Sequence, residues 1–138
     1  MTAGSSGLEG IATSALEVPG IESAAIFIVQ GGSSTLTFAA AAGVEGSALE
    51  ALIAAVGNPG HPIARTLSEG HATFDVVPVA PGGPALRSHL PIVVERDGRR
   101  DPAGVFALAH DQPLGEAERR ALARLAATAA EGIAAGQP

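Results

Sequence analysis

Residues 86–110 read LRSHLPIVVERDGRRDPAGVFALAH, and the chain continues as DQPLGEAERRALARLAATAAEGIA to Ala134. Residues 86–95 form an extended run in which Leu86, Ser88, Leu90 and Ile92 share one face while Arg87, His89 and Pro91 share the other. Proline has no N–H to give to a ladder, so Pro91 is expected at a sheet edge or a bulge. Asp97-Gly98 begins a loop that returns the chain to a second strand, GVFALAH, at residues 104–110. The two runs predict a long antiparallel hairpin. Beyond it Leu114, Ala117, Ala121, Leu122, Leu125, Ala129 and Ile133 mark one face of a final amphipathic helix of roughly five turns. Glu116 precedes Arg119 and Arg120 by three and four residues, on the exposed side of that helix.

Towards the N-terminus, Leu8, Ile11, Ala12, Ala15 and Leu16 follow helical spacing up to Pro19-Gly20. SAAIFIV at residues 23–29 is continuously apolar, the mark of a strand buried on both faces. The turn cluster Gly31-Gly32-Ser33-Ser34 and a second run, LTFAAAA from Leu36, complete a first hairpin. Ser47 and Glu50 are spaced as a capping box, and Leu49, Leu52, Ile53 and Val56 supply the helical stripe behind it. A short helix follows Gly57-Asn58-Pro59-Gly60, capped by His61, with Pro62 in its first turn and Gly70 at its end. ATFDVV from Ala72 then reads as a strand, and residues 77–85 as a Pro/Gly loop.

The order is helix, hairpin, two helices, strand, loop, hairpin, helix, which is an α+β sheet with segregated helices. Its 138 residues fit one domain. Residues 8–135 are assigned to that domain, with 1–7 as a flexible lead or cloning remnant and 136–138 as a tail. Composition is 46% hydrophobic and 3% aromatic, so Ala, Val, Ile, Leu and four Phe must build the core. A net charge of −6 argues against binding to nucleic acid or anionic membrane, both of which need a basic patch. With no cysteine there is no disulfide, thiolate metal site or thiol catalysis, and the cytoplasm is the expected compartment. Residues 1–10, MTAGSSGLEG, lack the basic start and continuous apolar core of a signal peptide, so none is expected there, and no apolar run approaches roughly 18 residues.

Residues 86–134 resemble the GAF domain family. The marks are a strand ending in a Pro-apolar pair, Pro91-Ile92, a Gly-Val strand start at Gly104-Val105, and the helix-opening Leu114-Gly115-Glu116. AAIFIVQGGSSTLTFAAAAG and HPIARTLSEGHATF match the N-terminal half more loosely. Gly115 departs from the family, which usually places a Ser, Thr or Asp cap there, so a less firm helix start is expected. The resemblance implies a GAF-like (profilin-like) six-stranded antiparallel sheet. Terminal helices would cover one face; short helices and loops would roof a small-molecule pocket on the other. It also implies a homodimer through the first and last helices, and a fused or separate output domain.

Within that family the free methionine sulfoxide reductase works through cysteines, and phytochrome-like members need Cys or a dense aromatic pocket. This chain has no Cys, Trp or Tyr. The cyclic-nucleotide motif centres on Asn-Lys, and all eight basic residues here are Arg. His61, His71, His89 and His110 lie on separate elements without metal-ligand spacing, so neither a metal nor a cofactor is expected. No Gly-rich phosphate cradle is present.

Under the resemblance, Arg65, His71, Asp75, Arg87 and His89 border the pocket, and Arg65, Arg87 and His89 suit an anionic or carboxylate ligand. Plainer readings stand beside this one. Arg65 has Glu69 at i+4, and in the plainer reading the Arg87/His89 face is simply exposed to solvent. The function expected is a non-catalytic sensory or regulatory domain that binds a small organic ligand and signals through its terminal helices. The alternative is a ligand-free dimerisation module. The bias towards Arg, Ala and Gly resembles a high-GC bacterial coding style.

Overall fold

The computed structural model describes residues 3–29, 36–44, 46–58, 60–77 and 86–136. Helix α1 (Ala3–Ala15) leads into a hairpin of β1 (Ile21–Val29) and β2 (Leu36–Ala42). Helices α2 (Ser47–Val56) and α3 (Pro62–Glu69) follow, then β3 (Thr73–Val76), the hairpin of β4 (Leu86–Arg96) and β5 (Arg99–His110), and α4 (Glu116–Gly136). This is the predicted order of elements. All strand pairings are antiparallel, and the sheet runs β2-β1-β5-β4-β3.

That makes five strands among the described residues, not the six the resemblance implied. Between β2 and β3 the described chain forms α2 and α3, the two helices read from the sequence. Residues 3–7, expected as part of a flexible lead, form the first turns of α1. The glycine-serine turn at residues 31–34 and the loop at 78–85 lie outside the described residues.

Strand alternation sorts the side chains into two apolar layers. Ala24, Ile26, Leu90, Ile92, Phe106 and Leu108 pack against Leu8, Ile11 and Ala12 of α1 and Leu122, Ala126, Ala129 and Ile133 of α4. On the opposite face Ala25, Phe27, Val105 and Ala107 meet Val56 of α2 and Ile63 and Leu67 of α3. The terminal helices thus cover one face and the middle helices the other, as expected. Ala24 to Phe27 of β1 are all buried because β1 is paired on both edges and covered on both faces.

Two boundaries differ from the sequence reading. The β4–β5 hairpin turns at Asp97-Gly98 alone, with Arg96 opposite Arg99, so β5 begins at Arg99 and not at Gly104. Both turn residues have positive φ (52° and 76°), the geometry that matches the right-handed twist of a two-residue hairpin. At α2 the cap is Gly46, with φ 65° and no side-chain bond, so Ser47 is the first helical residue. The helix begins where Gly46 accepts the left-handed turn, and the capping-box spacing falls one residue out of phase. At α3, by contrast, His61 accepts from the Ile63 N–H at 3.2 Å, Pro62 opens the helix and Gly70 closes it at φ 77°.

Pro91 pairs with Val105 of β5 and lies past His89, the last residue of β4 opposite β3, so its missing donor breaks no bond on that edge. Among the described residues no helix is long and apolar enough to cross a membrane.

Candidate functional site

The five expected site residues fall into three places. Arg65 is exposed on α3 and bonds Glu69 at 3.1 Å, the i+4 partner on its own helix. His71 is also exposed and faces the same carboxylate at 3.5 Å. Both therefore sit at a solvated edge, where such pairs add little to stability.

Arg87 and His89 point from β4 towards α3. His89 is only 3% exposed, so the solvent-face alternative does not hold for it. Its cross-strand neighbours are Thr73 of β3 and Ala107 of β5, and Ala107 belongs to the layer beneath Ile63 and Leu67 of α3. Its Nδ1 lies 3.4 Å from Thr73 Oγ1. Burial, reinforced by the charges of His61, Arg87 and His110, pushes the imidazole down to about 4 from 6.5, and it is neutral at pH 7. Half-buried Arg87 donates to the Leu86 carbonyl at 3.2 Å. At the head of α3, burial likewise lowers the His61 pKa. The result is a polar corner, Arg87, His89 and His61, in an otherwise apolar layer.

Asp75 lies elsewhere, because β3 carries a bulge. Thr73 pairs with His89 and Val76 with Arg87, so β3 has one residue more than β4 between these pairs. Asp75 absorbs the extra residue at φ 58°, a left-handed conformation that Asp tolerates better than most side chains. Its side chain serves the terminal-helix side of the molecule. Oδ1 accepts from the Leu114 N–H at 3.0 Å, and Oδ2 from Arg119 Nη2 at 2.8 Å. Arg119 also donates through Nε to the Leu114 carbonyl at 3.2 Å and stacks 4.4 Å over the Phe74 ring. Of the two expected partners of Glu116, only Arg120 pairs with it, at 3.0 Å, since Arg119 is drawn inward by Asp75.

Gly115 lacks a capping side chain, as expected, yet the helix start is held from two directions. Glu118 accepts from the Gly115 N–H at 2.9 Å, the half of a capping box that reaches back. Asp75 supplies the other acceptor from 39 residues away.

The same network continues inward. The Asp75 N–H donates to Ser88 Oγ at 3.2 Å, Ser88 Oγ lies 2.8 Å from His110 Nε2, and His110 Nδ1 lies 2.7 Å from the Gln112 carbonyl. A carbonyl only accepts, so His110 donates through Nδ1–H to Gln112, and in that tautomer Nε2 accepts a hydrogen bond from the Ser88 hydroxyl. This resembles an activated serine, but Ser88 and His110 are both 0% exposed. No substrate reaches them, and the pair holds β4 to the end of β5. Sequence reading placed Ser88 on the leucine face and His110 at a strand end. The missed signal was parity: a polar residue on an apolar face requires a partner, and His110 shares the parity of Phe106 and Leu108. Among the described residues no group of three or more His, Asp or Glu side chains is placed to hold a metal.

Outside both layers, a groove of about 550 Å³ runs between the end of α1 and the first half of α4. Val18, Ala121 and Leu125 line it, with Glu17 and Arg124 also at its surface.

No protein-family model matches the chain, and no curated protein does. Solved structures do. The GAF domain of an Acinetobacter phosphoenolpyruvate-protein phosphotransferase aligns with a TM-score of 0.73 and 13% identity, covering 98% of this chain and 84% of that one. The second GAF domain of DevS from Mycobacterium smegmatis aligns at 0.70 and 16% identity, covering 97% and 96%. A free methionine-R-sulfoxide reductase from Neisseria meningitidis, solved with its substrate, aligns at 0.72 and 15% identity, covering 99% and 81%. With near-complete coverage and the helices divided between the sheet faces as described, the chain has the fold of the GAF domains.

Proposed function

We propose that this chain is a non-catalytic GAF-type sensory or regulatory domain of a cytoplasmic bacterial signalling protein. It binds a small organic ligand at the α3 face of the sheet and passes the change through α1 and α4 to a fused or separate output domain. The observation that carries this reading is His89, a polar side chain 3% exposed within an apolar layer, beside Arg87 and opposite the head of α3. A neutral imidazole and a guanidinium suit a ligand with a carboxylate or another anionic acceptor. Arg65, His71 and Asp75 are engaged at other places and drop out of the first contacts. Catalysis is disfavoured, because the Ser88–His110 pair is sealed and the chain has no cysteine for sulfoxide reduction.

Native mass spectrometry on gently purified protein tests the reading, since it reports retained small molecules and subunit number together. The expected result is one reproducible adduct per chain that is lost in Arg87→Ala and His89→Gln. An adduct that survives both substitutions, or none across a panel of carboxylate metabolites, refutes it.

The groove supports a second reading, homodimerisation through α1 and α4. Glu17, Glu118 and Arg124 have no ion-pair partner among the described residues, and they flank the apolar floor of Val18 and Leu125. A patch that carries carboxylates and a guanidinium side by side can pair with its own copy across a two-fold axis. Light scattering behind size exclusion then gives a dimer that Arg124→Glu weakens and Glu17→Arg with Arg124→Glu restores. A monomer at all concentrations rules this reading out.

A further inference from the structure

Asp75 combines a left-handed backbone, a bulge and three hydrogen bonds that all leave its own strand. Its N–H reaches Ser88 of β4, and its carboxylate reaches the Leu114 amide and the Arg119 guanidinium at the start of α4. Left-handed φ costs a non-glycine residue on the order of 1 kcal/mol or more, so the conformation persists only while these partners hold it. A four-residue edge strand has a ready alternative: without the bulge, β3 regains regular pairing with β4 and Asp75 swings off α4.

We propose that Asp75 is a latch that couples the register of β3 to the first turn of α4. In the closed state the bulge presents the carboxylate to Leu114 and Arg119, and Arg119 closes over Phe74. In the open state β3 pairs regularly, Asp75 leaves the left-handed region, and α4 loses the cap supplied from β3. The Glu118 bond to Gly115 is then the one cap left at the first turn and opens with it, so the helix loosens at its first turn and not along its length. The Ser88–His110–Gln112 chain supplies the fixed anchor, because both side chains are fully buried and tied to β4 and β5. Movement of one edge strand is thereby converted into order or disorder at the start of the longest helix, with or without a ligand at the α3 face.

Amide hydrogen exchange resolved by residue tests the latch. In the parent protein the Asp75, Leu114, Gly115 and Arg119 amides, which donate respectively to Ser88, Asp75, Glu118 and the Gly115 carbonyl, exchange with one shared opening rate. The amides of α4 beyond Leu122 exchange far more slowly. Asp75→Ala raises exchange at Gly115 and Arg119 about tenfold, the scale of a lost charge-assisted hydrogen bond. Neither of those amides touches Asp75, so a merely local contact leaves both unchanged. Asp75→Asn keeps an acceptor for Leu114 and the tolerance of left-handed φ, and it recovers most of the protection. Independent opening of the two segments in the parent, or unchanged Gly115 and Arg119 exchange in a folded Asp75→Ala protein, overturns the latch. If Asp75→Ala does not fold, Arg119→Met reads the same coupling from the helix side, through exchange at the Asp75 amide. An unchanged rate there overturns the proposal equally.

Discussion

Replacing His89 should remove a defined part of this protein's sensitivity to acid. The imidazole titrates near 6.5 when exposed and at about 4 in the fold, because burial comes first and the charges of His61, Arg87 and His110 add to it. Between those values the unfolded chain binds the proton and the folded one does not, so stability falls as the pH falls. The contribution is fully present above 6.5 and lost on the way down to about 4. The gap corresponds to about 3 kcal/mol in full and about 2 kcal/mol at pH 5. A domain of this size has only about 5–15 kcal/mol in total, so the loss is large. The chain has no Trp or Tyr, so far-UV circular dichroism in urea is the practical assay, run from pH 7.5 to 4.5. His89→Gln should cost about 1–2 kcal/mol at pH 7 through altered packing and the lost Thr73 contact. It should then lose about 2 kcal/mol less than the parent on going to pH 5. Carboxylates and His61 act on both proteins alike, so the difference isolates His89. Parallel stability curves for the two proteins would refute the assignment of a buried, neutral imidazole.

Two further outcomes follow from the backbone. Gly104 stands in central strand β5 opposite both Ile28 and Ile92, and a Cβ there would run into the Phe27 carbonyl oxygen. Gly104→Ala should lower stability by about 1–3 kcal/mol by forcing β1 and β5 apart, readable as a lower urea midpoint. Gly98 has open space around its Cα but a φ of 76°, so Gly98→Ala should cost about 1–2 kcal/mol from conformation alone. Restoring the parent's stability with a D-alanine at the same position, by chemical synthesis, checks that cause.

The amino-acid sequence was sufficient for the order of elements and the faces of the strands. Those signals are local: the period of Leu122, Leu125, Ala129 and Ile133 specifies a helix, and alternation along 86–92 separates Ser88 from His89 wherever the strand lies. It also determined the caps that are built from neighbours, such as His61, Pro62 and Gly70 around α3. The roles of Asp75 and Arg119 arise from packing between distant elements. Local spacing offers Arg119 the carboxylate of Glu116, but a partly buried aspartate aimed by a bulge 44 residues away competes better than a solvated i+3 neighbour. Whether the His89 face meets water or α3 likewise depends on where α3 docks, a long-range contact that alternation cannot encode. The missing cap at Gly115 was legible in the sequence, whereas its replacement from β3 is a product of the packed fold.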